Sequence, residues 1–246
     1  MLLQYQIKQI KINFWSIFYL KNGDFVLSRA EKFYKEACKY RDNKEYELAF
    51  TMFFSAANDG HLEAQFSLAY SYDVGRGTTQ DHVKAVEWYK KAANSGHSTA
   101  MNNLGLKYLN GLGVEQDYQK AFMWFEKAAS KGSKAAHSNM AYCYEFGRYV
   151  AIDYSKAFEN YRIAAESGDD YSMNKLGYFY EQGKGTAANN ALSFKWFLES
   201  AKNDNKDSQF KAGRFYDIGK GVNKDHKQAN YWYEKAADKG HSVAMN

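Results

Sequence analysis

Residues 104–132 read Leu104-Gly105-Leu106-Lys107-Tyr108-Leu109-Asn110-Gly111-Leu112-Gly113-Val114-Glu115-Gln116-Asp117-Tyr118-Gln119-Lys120-Ala121-Phe122-Met123-Trp124-Phe125-Glu126-Lys127-Ala128-Ala129-Ser130-Lys131-Gly132. Their landmarks recur every 36 residues in both directions. Gly60, Gly96, Gly132, Gly168 and Gly240 share one grid, with Asp204 in the missing slot. Tyr72, Tyr108, Tyr144, Tyr180 and Tyr216 form a second, and Gly75, Gly111, Gly147, Gly183 and Gly219 a third. Trp88, Trp124, Trp196 and Trp232 form a fourth, broken by Asn160. His61 to His241 spans 180 residues, five units with no insertion. Four parallel grids at one period are the signature of a repeat protein.

Each unit reads as two helices. In residues 62–74, Ala64, Leu68, Ala69 and Tyr72 keep helical spacing. A Gly-x-Gly turn then stops the helix, because glycine carries no Cβ to clash at positive φ. Asp81, Asp117, Asp153, Asn189 and Asp225 stand where the second helix needs an N-cap. Ala85, Trp88, Tyr89, Ala92 and Ala93 follow on one stripe, the alanines admitting close helix approach and the rings filling the remaining space. The Trp and Tyr grids are accordingly expected to form the inter-repeat core. Residues 28–60 form a shorter helix pair of the same kind.

The pattern Leu104-Gly105-x-x-Tyr108-x-x-Gly111-x-Gly113-Val114-x-x-Asp117-x-x-Lys120-Ala121-x-x-Trp124-x-x-x-Ala128-Ala129-x-x-Gly132 resembles the Sel-1-like repeat, a relative of the tetratricopeptide repeat. The resemblance implies an all-α fold, a right-handed α-solenoid whose first helices line a concave surface. It also implies an adaptor that holds other proteins rather than an enzyme. Stacking physics agrees, since a two-helix unit cannot bury its face alone and a stack exposes a long groove. On this reading residues 1–27 are an N-terminal segment and 28–60 a tetratricopeptide-like pair. Residues 61–240 are five Sel-1-like repeats, and 241–246 begin a further helix. Tyr149 replaces a loop glycine, and Ser193, Ser200 and Asp204 replace Ala, Ala and Gly in the fourth unit. That unit is expected to be the weakest.

Composition narrows the function classes. Hydrophobic residues are 45% and charged residues 25% of a chain with 21 Tyr, 17 Phe and no proline, as in an ordered globular protein. A mean hydropathy of -0.67 and the lack of a long uncharged apolar run argue against a membrane span. The net charge is +5, and Lys8, Lys11 and Lys21 against Asp24 leave +3 beyond residue 27. That is too dilute for a nucleic-acid footprint. Cys38 and Cys143 are too few for a disulfide framework or zinc site, and they read as reduced core residues. No metal and no cofactor are expected.

Two further motifs have bland explanations. Ser172-Met173-Asn174-Lys175 and Ser208-Gln209-Phe210-Lys211 match the S-x-x-K of penicillin-recognising enzymes, but no Lys-Thr-Gly or Ser-Asp-Asn accompanies them. Some cysteine-rich members of the family have been described as penicillin-binding, but the cysteine pair per repeat that marks them is lacking here. His61, His97 and His241 recur because they open first helices, which lie too far apart to share one zinc.

The candidate partner-binding site is the concave face. Counting from the Leu-Ala/Gly-x-x-Tyr signature, it presents Tyr70, Leu106, Tyr142, Tyr178 and Arg214. Beside these come Asp73, Glu145, Glu181 and Asp217, and one turn earlier Phe66, Asn102, Asn174 and Phe210. Tyrosines flanked by carboxylates suit a protein or peptide ligand of basic or mixed basic–aromatic character. The alternative is that these acids simply solvate helix ends.

The N-terminus keeps several readings. Lysines followed by the apolar run Ile12–Leu20 fit a weak signal peptide. They also fit a helix that caps the first repeat or touches a membrane surface. Cytoplasmic placement is favoured slightly over secretion, and a secreted or envelope-associated factor is the first alternative function. A penicillin-recognising hydrolase is the second.

Overall fold

The computed structural model describes residues 20–21, 24–25 and 27–241. They fall into two compact units, Met1–Gln116 and Asp117–Asn246. Unit 1 holds two short strands, β1 (Leu20–Lys21) and β2 (Asp24–Phe25), paired antiparallel with Leu20 opposite Phe25. It continues with helices α1 (Arg29–Asp42), α2 (Tyr46–Asn58), α3 (Leu62–Val74), α4 (His82–Asn94) and α5 (Ser98–Asn110). Unit 2 holds α6 (Tyr118–Ser130), α7 (Lys134–Phe146), α8 (Tyr154–Glu166), α9 (Asp170–Gln182), α10 (Asn190–Lys202), α11 (Lys206–Ile218) and α12 (His226–Asp238). Within each unit consecutive helices pack in tandem, the all-α helix-turn-helix stacking of a solenoid.

Among the described residues the β1–β2 pair is the one departure from an all-α fold. Two strands bracketing Asn22-Gly23 match the strongest short-range hairpin signal in a sequence. The N-terminal readings, signal peptide and capping or amphipathic helix, otherwise lie outside the described residues, as do residues 242–246.

Helix ends follow the expected chemistry. Asp81, Asp117, Asp153, Asn189 and Asp225 each accept a backbone N–H from the first turn of the second helix. The first helices of the five 36-residue units end on glycines with φ between 65° and 71°. The loop glycine one step on is needed for space too, since a Cβ on Gly113 would collide with the His82 carbonyl. Tyr149 fills the same slot at φ 70°, and Asp204 holds φ 69° where the other units have glycine.

The core lies one residue away from the Trp grid. Tyr89, Phe125, Tyr161 and Phe197 are each 0% exposed. Trp88 and Trp232 are buried, but Trp124 and Trp196 are only half-buried, which corrects the expectation that the whole grid is core. A small residue faces the deep ring: a Cβ on Gly177 would stand 2.6 Å from the Phe197 ring. The Tyr grid does join repeats. Phe50, Phe122, Phe158 and Phe194 of second helices meet Tyr72, Tyr144, Tyr180 and Tyr216 of the following first helices, edge to face.

In the fourth unit, Ser193 donates to the Gly177 carbonyl at 2.8 Å and Ser200 to Asp170 Oδ1 at 2.6 Å. Both serines are fully buried with their hydroxyls satisfied, so neither carries the cost of an unpaired buried hydroxyl.

Candidate functional site

Three of the four expected groove acids are tied to lysines of the next first helix. In unit 1, Asp73 accepts from Lys107 and from His82 Nδ1 at 2.9 Å, while the Tyr89 hydroxyl reaches it at 3.3 Å. In unit 2, Glu145 lies 3.0 Å from Lys175 Nζ and accepts from the Tyr161 hydroxyl at 2.7 Å. Glu181 takes Lys211 at 2.9 Å and Lys220 at 2.7 Å. Asp217 faces His226 Nδ1 at 3.0 Å. The Glu145 and Lys107 side chains are each 8% exposed. A row of free carboxylates awaiting a basic ligand is therefore absent at Asp73, Glu145 and Glu181. These acids clasp consecutive helix pairs, and their charge is already balanced. Partial burial pushes the Glu181 carboxyl up, but Lys220 and Lys211 outweigh it and hold its pKa below the usual glutamate range.

Phe66 and Phe210 also have structural work. Phe66 stacks on His97 with centroids 4.4 Å apart, and Phe210 stacks on His241 at 4.5 Å. Tyr34 does the same for His61 at 4.2 Å. The Nδ1 atoms of His61 and His97 accept the backbone N–H of Ala64 and Ala100 as N-caps. Their Nε2 atoms face Glu31 at 3.1 Å and Glu63 at 3.3 Å. His61 and His97 are thus helix-capping residues. Asn174 donates to Ser208 Oγ at 2.6 Å, and Asn102 is buried.

What stays open is aromatic and cationic. Tyr70 is 37% exposed, Arg214 is exposed, and Leu106, Tyr142 and Tyr178 are half-buried. Sequence reasoning missed two neighbours in unit 2. Phe146, 46% exposed, meets the Tyr142 ring at 4.8 Å, and Tyr171 is 45% exposed. Lys175 Nζ lies 5.1 Å from the Phe146 ring and 5.5 Å from that of Tyr171. An aromatic residue at the end of a first helix, where Val74, Asn110, Gln182 and Ile218 stand in the other units, was the available signal. Also missed were loop cations lying over tyrosines of the preceding pair: Arg76 over Tyr46, Arg148 over Tyr118 and Lys184 over Tyr154.

The S-x-x-K residues are committed elsewhere. Ser172 and Ser208 are fully buried and bonded to Ser138 Oγ at 3.0 Å and Ser200 Oγ at 2.9 Å. Their lysines are the partners of Glu145 and Glu181, so neither hydroxyl meets a substrate from solvent. Cys38 and Cys143 are free thiols, and burial pushes that of Cys143 up to about 12. Among the described residues no cluster of His, Cys, Asp and Glu could hold a metal. Nor is any described helix long and apolar enough to cross a membrane.

The Sel1 repeat model matches residues 62–97, 98–133, 134–169, 170–205 and 206–241. The chain belongs to the Sel1 repeat family. A Sel1 repeat protein from Oxalobacter formigenes is 32% identical with a TM-score of 0.80, covering 86% of each chain. The protein c5321, a protective antigen of uropathogenic Escherichia coli strains with an SLR fold, is 34% identical with a TM-score of 0.82 over 88% of this chain. This Sel1 chain spans only 47% of the length of c5321. An immunity protein from Pseudomonas aeruginosa, Pa5087, shares the fold alone, at 19% identity and a TM-score of 0.55, over 92% of this chain and 85% of its own. No curated protein matches the sequence. Sel1 repeats are in general non-catalytic scaffolds for protein interaction, and this chain has that architecture.

Proposed function

We propose that this Sel1 repeat protein binds a protein or peptide segment on the exposed faces of its first helices. The observation that carries the reading is the Tyr142–Phe146–Tyr171 cluster of unit 2, three rings left partly open to solvent around Lys175. Interface energy concentrates in such rigid aromatic anchors. Tyr178 and Arg214 extend the face in unit 2. Tyr70 and Leu106 offer a comparable surface in unit 1. Asp73, Glu145 and Glu181 act as positioning residues that hold successive first helices in register.

Selection of a random heptapeptide library on the full chain tests this. Enriched peptides should lose at least tenfold in affinity on Tyr142→Ala/Tyr171→Ala, a modest hot-spot cost. If the folded variant binds as the parent does, the cluster is not the site.

A second reading, a secreted or envelope factor, draws on the antigen character of c5321 and on the lysine-bearing apolar start of this sequence. N-terminal sequencing of the mature protein from fractionated cells separates the two.

A further inference from the structure

Unit 1 contains a cavity of about 180 Å³ between the end of α1, α2, α3 and the loop that follows α3. Its lining includes Phe53 and Phe66, the rings of Tyr46 and Tyr70, and two guanidinium groups, Arg41 and Arg76. We propose that this cavity receives an acidic side chain of a bound peptide, so that unit 1 selects Asp- or Glu-bearing segments. The proposal rests on the scaffold reading above and gives its ligand a chemistry, the reverse of the basic segment expected from the sequence.

Size and charge both point this way. A cavity of ~150 Å³ admits a benzene molecule, so this one holds a side chain comfortably. Arg76 lies over both tyrosines, 5.3 Å from the Tyr46 centroid and 5.5 Å from that of Tyr70. A guanidinium stacked on rings keeps its in-plane N–H donors free, the fork geometry that takes a carboxylate in bidentate fashion. Among the described residues no carboxylate lies within ion-pair distance of Arg76. Arg41 has only its chain neighbour Asp42, at 3.0 Å, with a side chain 67% exposed. Such a surface pair contributes little and exchanges readily for a better-placed carboxylate.

The nearby groove acid, Asp73, is turned to Lys107 and His82 and does not neutralise the pocket. The apolar floor therefore lies beneath one cation without a carboxylate, Arg76, and one, Arg41, paired only with exposed Asp42. The two tyrosines add aromatic walls for whatever apolar residue flanks the acid. The next pair in unit 1 has His82, Leu106 and Leu112 where this one has Tyr46, Tyr70 and Arg76. The set is thus missing from the next joint of unit 1, while Tyr118, Tyr142 and Arg148 repeat it in unit 2.

The same heptapeptide selection on the full chain decides the matter, with an enriched peptide then synthesised and its affinity measured. Enrichment of Asp or Glu is expected. Arg41→Glu/Arg76→Glu, shown to be folded by circular dichroism, should weaken the peptide at least tenfold, while Arg41→Lys/Arg76→Lys, which keeps the charge but not the bidentate fork, should fall between that variant and the parent. Arg76→Gln serves as the second variant if the double reversal unfolds, with a smaller loss in the same direction.

Enriched peptides that are neutral or basic would overturn the acidic-ligand proposal alone. Acidic peptides indifferent to both arginine variants would do the same. No enrichment over an unrelated protein would overturn the scaffold reading as well. A single-stranded oligothymidylate probe should not bind. Binding that the arginine variants abolish would reassign the pocket to phosphate.

Discussion

The Phe66 ring lies stacked on the His97 imidazole at 4.4 Å, tilted by 17°, while the same imidazole caps the helix that follows. One side chain thus terminates a helix and packs against the preceding pair. The sequence shows a matching rule. An aromatic at the Phe66 position stacks on a histidine that opens the next unit (Tyr34 on His61, Phe210 on His241), whereas Ser138 accompanies Asp169.

A double-mutant cycle measures this coupling. His97→Ala should cost about 0.5–2 kcal/mol as a lost cap, and Phe66→Ala should cost more through lost burial. The interaction between them should be about 0.5–1.5 kcal/mol, the range for stacked aromatic pairs. Urea unfolding of the four proteins gives the number. Strict additivity would mean that stack and cap are energetically separate.

Much of the fold was legible because it depends on period and local chemistry. Asp117 caps and Gly111 terminates whatever surrounds them. What failed to show was long-range pairing. Ser200 reads as a poor alanine until Asp170, 30 residues away, is seen accepting its proton. Glu145 reads as a free acid until Lys175, also 30 residues on, is seen beside it. The lysines at 175 and 211 sit at one phase of the repeat and Lys107 one helical turn later, so the pairing left a partial trace that counting acids alone passed over. The pocket at Arg76 needed three elements to converge and left no comparable local mark.

Backbone strain gives the second prediction. Tyr149 and Asp204 hold left-handed φ values in slots where other units have glycine. A left-handed residue with a Cβ costs roughly 1–2 kcal/mol, less for Asp, whose short polar side chain tolerates the region. Tyr149→Gly should therefore stabilise more than Asp204→Gly. The gain at Tyr149 is offset in part by its ring contact with Phe122 and its hydrogen bond from Gln119. Asp204→Gly also gives up the exposed Lys239 pair, which contributes little. Thermal unfolding of the two variants ranks them, and the opposite order would show that the Tyr149 contacts outweigh its strain.

Glu181 sets a pH dependence. Its pKa is held below the ordinary glutamate value of about 4.3 by Lys220 and Lys211. A group depressed in the folded state binds fewer protons than in the unfolded state, so its contribution is present above the unfolded pKa. It is lost as pH falls through the folded value. Glu181→Gln should thus be less stable than the parent at neutral pH, with the gap closing as the solution is acidified below about pH 4. A gap that stays constant with pH would mean that the carboxylate charge is not what the two lysines stabilise.

The last prediction separates two adjacent rings on α6. Helical residues are about 100° apart around the axis, so Trp124 and Phe125 cannot both point into the stack. Phe125 is fully buried, at the phase of Tyr161 and Phe197, while Trp124 is half-buried with Lys127 Nζ 4.4 Å from its ring. Phe125→Ala should leave a cavity and cost about 3–5 kcal/mol. Trp124→Ala removes the larger side chain yet should cost less, because much of its surface is already wet and Lys127 can resolvate. Equilibrium unfolding in urea distinguishes them by midpoint. A larger loss at Trp124 would place the core on the tryptophan grid after all, one helical step from where the packing of Phe125 now puts it.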